Sequence, residues 1–196
     1  MNSSLFNQIV EPKLLERPST EVAIDLLGCT LVRQLPDGQI IRGMIVETEA
    51  YAPGDPAFHA YRRVTPRNQV LFGSAGRTYI YLIYGIYHCF NVVTDVDGVP
   101  SAVLIRALQL ESVPDGENLH RFAAGPGKLC LALQIDRSLN GSRLQPGEAL
   151  WLEHRSSEQQ LASNDAIVQT ARIGISKGVD LPWRWYIKNC PAVSRF

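Results

Sequence analysis

The alternation of apolar and polar positions is strongest in the first half of the chain. Residues 30–35 (TLVRQL) and 39–48 (QIIRGMIVET) flank the turn Pro36-Asp37-Gly38 and predict an antiparallel hairpin. Residues 78–83 (TYIYLI) and 87–93 (YHCFNVV) predict a second hairpin, closed by a tight turn at Tyr84-Gly85. The turn signal DVDG then leads into a further strand, SAVLIRAL (101–108). Helical signals are short: EVAIDLL, with Thr20 as its cap and Gly28 as its stop, and GKLCLALQI (127–135), opened by Gly125-Pro126-Gly127. The Pro- and Gly-rich residues 52–74 predict a loop with a short helix after Pro66, and the tail predicts strands near 149–153, 171–175 (ARIGI) and 183–187. No repeat, low-complexity run or linker interrupts this series. Mostly antiparallel strands with a few helices make an α+β domain, and 196 residues suit one domain spanning 1–196.

Composition narrows the setting. Hydrophobic content of 45% and charged content of 19% fit a soluble globular protein, and no apolar run approaches the roughly 20 residues that cross a bilayer, so no membrane partner is expected. The polar start MNSSLFNQIVEPKLLERP lacks the basic and apolar regions of a signal peptide. Cys29, Cys89, Cys130 and Cys190 form no CxxC pair and read as reduced thiols of a cytoplasmic protein. His59, His88, His120 and His154 show no metal-ligand spacing, so neither a metal nor a cofactor is expected.

Charge changes the picture locally. The chain balances 19 basic against 19 acidic residues, so bulk charge predicts no polyanionic partner. Yet residues 56–94 contain no Asp or Glu, and they hold Arg62, Arg63, Arg67 and Arg77 with Tyr61, Tyr79, Tyr81, Tyr84 and Tyr87. Guanidinium charge interleaved with aromatic faces suits a phosphate backbone and unstacked bases. Tyr79, Tyr81 and Tyr87 equally suit core packing, whereas Tyr84 at a hairpin tip suits a wedge between bases, or a protein interface.

Two further features carry chemistry. Glu47 and Glu49 stand two residues apart at a strand end, which fits either a solvent-facing pair or a general base for water aided by a cation such as Arg106. Glu49 lies nearer the following loop. Gly125-Pro126-Gly127-Lys128 lacks the first glycine and the final Ser or Thr of a Walker A loop, since Phe122 and Leu129 occupy those places. What remains is a helix start at which Lys128 could meet one phosphate, or a plain turn. Lys13 and Lys128 are consecutive lysines, so a Schiff-base mechanism would need a lysine from elsewhere.

Taken in order, IVETEAY (45–51), His59, TPRN (65–68), YIYLIYGIYHCFN (79–91), VLIRAL (103–108) and GPGKLC (125–130) resemble the 3-methyladenine (alkyladenine, methylpurine) DNA glycosylases of the human alkyladenine-glycosylase type. The resemblance runs from about Leu14 through the tail. It implies a single compact domain around a curved antiparallel sheet with flanking helices, and a β-hairpin protruding into the minor groove of double-stranded DNA that contains damaged purines. It implies Glu49 as the base that activates water and Arg106 as its neighbour. Tyr51, His59 and Tyr81 would wall the flipped-base pocket, and Asn91 would crowd the 2-amino group of guanine. Tyr84 would fill the vacated stack beside Ile86, where the human-type motif has methionine. Arg63, Arg67, Arg77 and Lys128 are the candidate backbone contacts. The His59 loop is one residue shorter than that motif.

The implied activity is base-excision repair: hydrolysis of the N-glycosidic bond of alkylated or damaged purines, leaving an abasic site. The enzyme would be monofunctional, monomeric, and cytoplasmic in a bacterium, with its DNA. The residues alone also allow a non-catalytic nucleic-acid-binding module, or carboxylates acting on a sugar or nucleoside.

Overall fold

The computed structural model describes residues 9–155 and 166–195; the opening segment, in which no signal peptide is expected, lies partly outside that range. In chain order the strands are β1 (Thr30–Gln34), β2 (Ile40–Tyr51), β3 (Thr78–Ile83), β4 (Tyr87–Val93), β5 (Ala102–Leu110), β6 (Leu150–Glu153), β7 (Ile167–Thr170) and β8 (Arg184–Ile187). The helices are α1 (Pro12–Leu15), α2 (Ser19–Asp25) and α3 (Pro126–Ala132), with short 3₁₀ turns at Gln69–Phe72 and Arg137–Leu139. This is the α+β architecture expected from the pattern. No helix among the described residues is long and apolar enough to cross a membrane.

Strand β2 is the axis of the sheet. One edge pairs with β5, while the other is shared between β1 along Ile40–Met44 and β8 along Glu47–Glu49. The hairpin β3–β4 extends the sheet beyond β5, β6 adds to β1, and β7 adds to β8, all antiparallel. Between Ile45 and Thr48 the register with β5 shifts twice, and such irregularities bend a strand and strengthen its twist.

Period-two alternation divides the β3–β4–β5 sheet into two faces. Ile80, Phe90, Val92, Val103 and Ile105 pack with Val22, Ala23 and Leu129 of α2 and α3 in the main core. Each of the Val, Leu, Ile and Phe side chains contributes about 1.5–3 kcal/mol by leaving water. Tyr79, Cys89 and Leu104 form a second cluster on the other face with Tyr51, Phe58 and Leu71, beneath the long loop after β2. The pocket candidates Tyr51 and Tyr81 lie with this second cluster.

Three expectations are corrected. Helix α2 begins at Ser19 rather than after Thr20; no side chain caps it, and the Ser19 hydroxyl instead donates to the Tyr51 carbonyl at 3.0 Å, tying the helix start to the end of β2. The strand expected at 171–175 lies earlier, as β7. Beyond Thr170 the chain leaves the sheet because Arg172 turns inward to pair with Asp55. Glu47 and Glu49 do not face solvent: β2 runs on to Tyr51, and both carboxylates are fully buried.

Candidate active site

Four strands contribute one cross-strand row. Tyr79 stands opposite Asn91, Asn91 opposite Leu104, and Leu104 opposite Glu49. Directly opposed residues share a sheet face. The pairing therefore places Glu49 on the same face as the pocket candidates of the β3–β4 hairpin. Tyr51 follows Glu49 by two residues on β2, and Arg106 follows Leu104 by two on β5, so both remain on that face.

Over this row lies a cavity of about 470 Å³, within the range of small-ligand sites. Tyr51, His59, Tyr81, Tyr84, Asn91 and Arg106 all line it. His59 meets Tyr81 edge-on at 4.5 Å between ring centres, and its Nδ1 lies 2.9 Å from the Tyr79 hydroxyl. Burial of that ring face, with Arg67 nearby, lowers the His59 pKa to about 4. Its outer edge is exposed, yet even part of this displacement leaves the ring neutral at pH 7. Burial and the neighbouring Cys89 raise the pKa of Tyr81, so its phenol stays protonated. The Asn91 side chain donates Nδ2 to the Tyr79 carbonyl at 2.9 Å, which fixes its amide at the cavity wall.

The two carboxylates are held differently. Glu47 accepts from Arg106 Nε at 2.9 Å, Arg184 Nε at 2.7 Å, and the Ser194 amide and hydroxyl at 2.8 and 3.0 Å. Burial pushes the Glu47 carboxyl up, but Arg106, the Ser194 amide and Arg184 outweigh it and hold its pKa below the usual range. Glu49 Oε1 accepts the Ile173 amide at 2.8 Å and pairs with Arg106 Nη1 at 3.1 Å. Among the described residues, its Oε2 accepts only the Tyr51 hydroxyl, at 2.9 Å. A carboxylate oxygen offers two lone-pair directions, so Oε2 keeps one acceptor site, and the residues that hold Glu49 (Tyr51, Arg106 and Ile173) all line the cavity. Burial, and then the Glu49 carboxylate, raise the Tyr51 pKa, which keeps that phenol a donor. Burial disfavours the charge of Arg106, but Glu49 and Glu47 outweigh it and raise its pKa.

Several participants had no motif to announce them. Arg172, fully buried, pairs bidentately with Asp55, its Nη2 lying 2.9 Å from Oδ1, and its Nη1 donates to the Ala50 carbonyl at 3.0 Å. Its guanidinium lies 4.6 Å over the Tyr51 ring. Through these contacts it fixes the aromatic wall and launches segment 173–177, which also lines the cavity. The only hint in the sequence is a charged residue inside the apolar run ARIGI.

At the hairpin tip, Tyr84 (φ +51°) and Gly85 (φ +73°) form a turn closed by the Ile86 amide on the Ile83 carbonyl at 3.2 Å. Positive φ suits Gly85, but for a tyrosine it costs about 1–3 kcal/mol and clusters at functional sites. Tyr84 is 85% exposed and Ile86 66%. The basic candidates disperse. Arg67 lies 5.4 Å over the Tyr81 ring, beside the cavity, and Arg63 is exposed on the same loop. Arg77 donates to the Gly141 carbonyl at 2.9 Å and lines a separate depression with Asn140. Lys128 donates to the Arg121 carbonyl at 3.4 Å and does not line the cavity.

The family model for methylpurine-DNA glycosylase (MPG) matches residues 13–191. The chain belongs to the methylpurine-DNA glycosylase family. A protein of Trichodesmium erythraeum (strain IMS101) is 60% identical over 96% of this chain and 98% of its own length. One from Synechococcus sp. (strain JA-3-3Ab) is 55% identical over 93% of this chain and 97% of its own. A third, from Methanocella arvoryzae (strain DSM 22066 / NBRC 105507 / MRE50), is 46% identical over 92% of each. Each is named "Putative 3-methyladenine DNA glycosylase". The span matched to the methylpurine-DNA glycosylase family contains the cross-strand row, the cavity lining and segment 173–177, while Ser194, which holds Glu47, falls just beyond it.

Proposed function

We propose that this methylpurine-DNA glycosylase removes alkylated purines, 3-methyladenine and 7-methylguanine foremost, from double-stranded DNA in base-excision repair, and leaves an abasic site. The observation that carries the mechanism is Glu49: a buried carboxylate with one open acceptor direction, held by residues that line an aromatic-walled cavity.

The damaged nucleotide rotates out of the stack, at a cost of a few kcal/mol that weakened pairing reduces. Tyr84 on its protruding turn occupies the gap. An alkylated purine that is cationic gains about 0.5–2 kcal/mol against the rings of Tyr51 and Tyr81. The C1′–N bond breaks with its electron pair going to the base, which leaves neutral. Glu49 stabilises the oxocarbenium-like sugar and accepts a proton from water as its oxygen bonds to C1′. Arg106 pairs with Glu49 and holds it in place. Neutral His59 contributes shape and hydrogen bonding to the pocket rather than a proton. Asn91, anchored on the Tyr79 carbonyl, narrows the wall against the amino group of normal guanine. The reaction ends at hydrolysis: Lys177 is exposed at the rim, without the desolvated pocket that makes a lysine a nucleophile.

Purified protein incubated with methylated duplex DNA is expected to release free methylpurine, identified by chromatography, with unbroken strands until alkali is added. Absence of free base sinks the function; strand cleavage before alkali sinks the monofunctional reading. Tyr84→Ala is expected to slow single-turnover release on duplex by roughly ten- to hundredfold, matching the ~1–3 kcal/mol of base–aromatic stacking. Single-stranded substrate, which has no gap to fill, should slow far less, and equal slowing on both would argue against a wedge.

A further inference from the structure

We propose that Lys177 binds a backbone phosphate adjoining the flipped nucleotide, a role that rests on the glycosylase reading above. Lys177 comes from the tail segment rather than from the Arg/Tyr-rich stretch, yet it lines the same cavity as Tyr51, Tyr81 and Arg106. It is exposed, and no described acid pairs with it. The charges in and behind this lining are otherwise accounted for: Glu49 already carries Arg106, and residues 56–94 offer no carboxylate.

The lysine's backbone is held at both ends of its loop. At one end the Ile173 amide donates to Glu49 at 2.8 Å, and at the other the Gly178 carbonyl accepts from Arg172 Nη2 at 3.3 Å. A Cβ on Gly178, which sits at φ +59°, would come within 2.9 Å of Asp55 Oδ1 and 3.0 Å of Arg172 Nη2. The residue after Lys177 therefore has to be glycine for the loop to close on the buried Arg172–Asp55 pair. Anchoring beside that pair reduces the entropy lost when the side chain engages a ligand.

The chemistry of the ligand follows from charge. A bare ammonium at the rim of a cavity that receives cationic purines would oppose their entry. An anion on the ammonium removes that repulsion, and every base entering the cavity brings a phosphodiester on each side of its sugar to the rim. Arg67, stacked on Tyr81, supplies the cation of the aromatic wall, and Lys177 supplies that of the tail-loop wall.

The test uses the full chain and a short duplex carrying a tetrahydrofuran abasic analogue, which has no base to release, so binding is read apart from chemistry. Lys177→Ala should weaken binding about three- to tenfold near 0.1 M salt and reduce the slope of log affinity against log salt by about 0.9, the loss of one phosphate contact. Lys177→Arg should restore most of both. Replacing one of the two phosphates flanking the analogue by a neutral methylphosphonate should weaken the parent protein by the same factor and leave Lys177→Ala unaffected. An unchanged affinity and slope in Lys177→Ala, or an equal further loss on both methylphosphonate duplexes, overturns the assignment. A parent protein with no preference for the analogue over undamaged duplex would remove the glycosylase reading, and the assignment with it.

Discussion

Replacing Glu49 by Gln is expected to lower the single-turnover rate of methylpurine release by about 10²–10⁴-fold, the contribution of a positioned general base. Duplex affinity and folding should stay close to those of the parent. The substitution is nearly isosteric, and the local hydrogen bonds can accommodate it. An amide oxygen in the place of Oε1 still accepts the Ile173 amide and faces Arg106, while an NH₂ in the place of Oε2 can donate to the Tyr51 hydroxyl. Arg106 keeps the carboxylate of Glu47. What disappears is the negative charge and the one acceptor direction open toward a water. Rapid-quench measurement of base release, alongside binding to the abasic-analogue duplex, separates the two effects. Release at the parental rate would remove Glu49 from the chemistry, and loss of binding in step with rate would make it a structural residue.

The two halves of this site were unequally legible in the sequence. The β3–β4 hairpin announced itself because period-two alternation and the Tyr84-Gly85 pair are local signals, and the turn formed where they place it. The pocket candidates on that hairpin shared a face for the same reason. The pairing of Glu49 with Leu104 across β5 was not readable, because a double register shift between Ile45 and Thr48 sets it. Least legible was the tail. Ile173 reaches Glu49 across 124 residues of chain through a backbone N–H, a group every residue but proline carries, so no side-chain identity marks it. Arg172 and Asp55 look unremarkable in loop and strand patterns until the fold buries them together. The misplaced strand at 171–175 has the same origin: an apolar run reads as sheet until one inward charge makes it leave.

Removing Glu47 should damage the fold where changing Glu49 damages the chemistry. Glu47→Ala leaves Arg106 and Arg184, both almost fully buried, without the carboxylate that joins them, and deprives Ser194 of its acceptor. Breaking a buried ion pair by deleting one partner costs about 3–5 kcal/mol, because the remaining charge is left uncompensated. For a protein of this size that corresponds to a melting temperature lower by about 6–20 °C. The deficit should depend on pH in a defined direction. The folded protein holds the Glu47 carboxyl below its ordinary value of 4.5, so its contribution is complete above that pH and fades as pH falls through the depressed value. Melting curves of parent and variant should therefore converge on acidification and stand furthest apart near neutrality. Base release measured well below the variant's melting temperature should fall less than in Glu49→Gln, since Arg106 still pairs with Glu49. A variant that melts with the parent but releases no base would reverse the two roles, making Glu47 the carboxylate that meets water and Glu49 the one that holds the sheet.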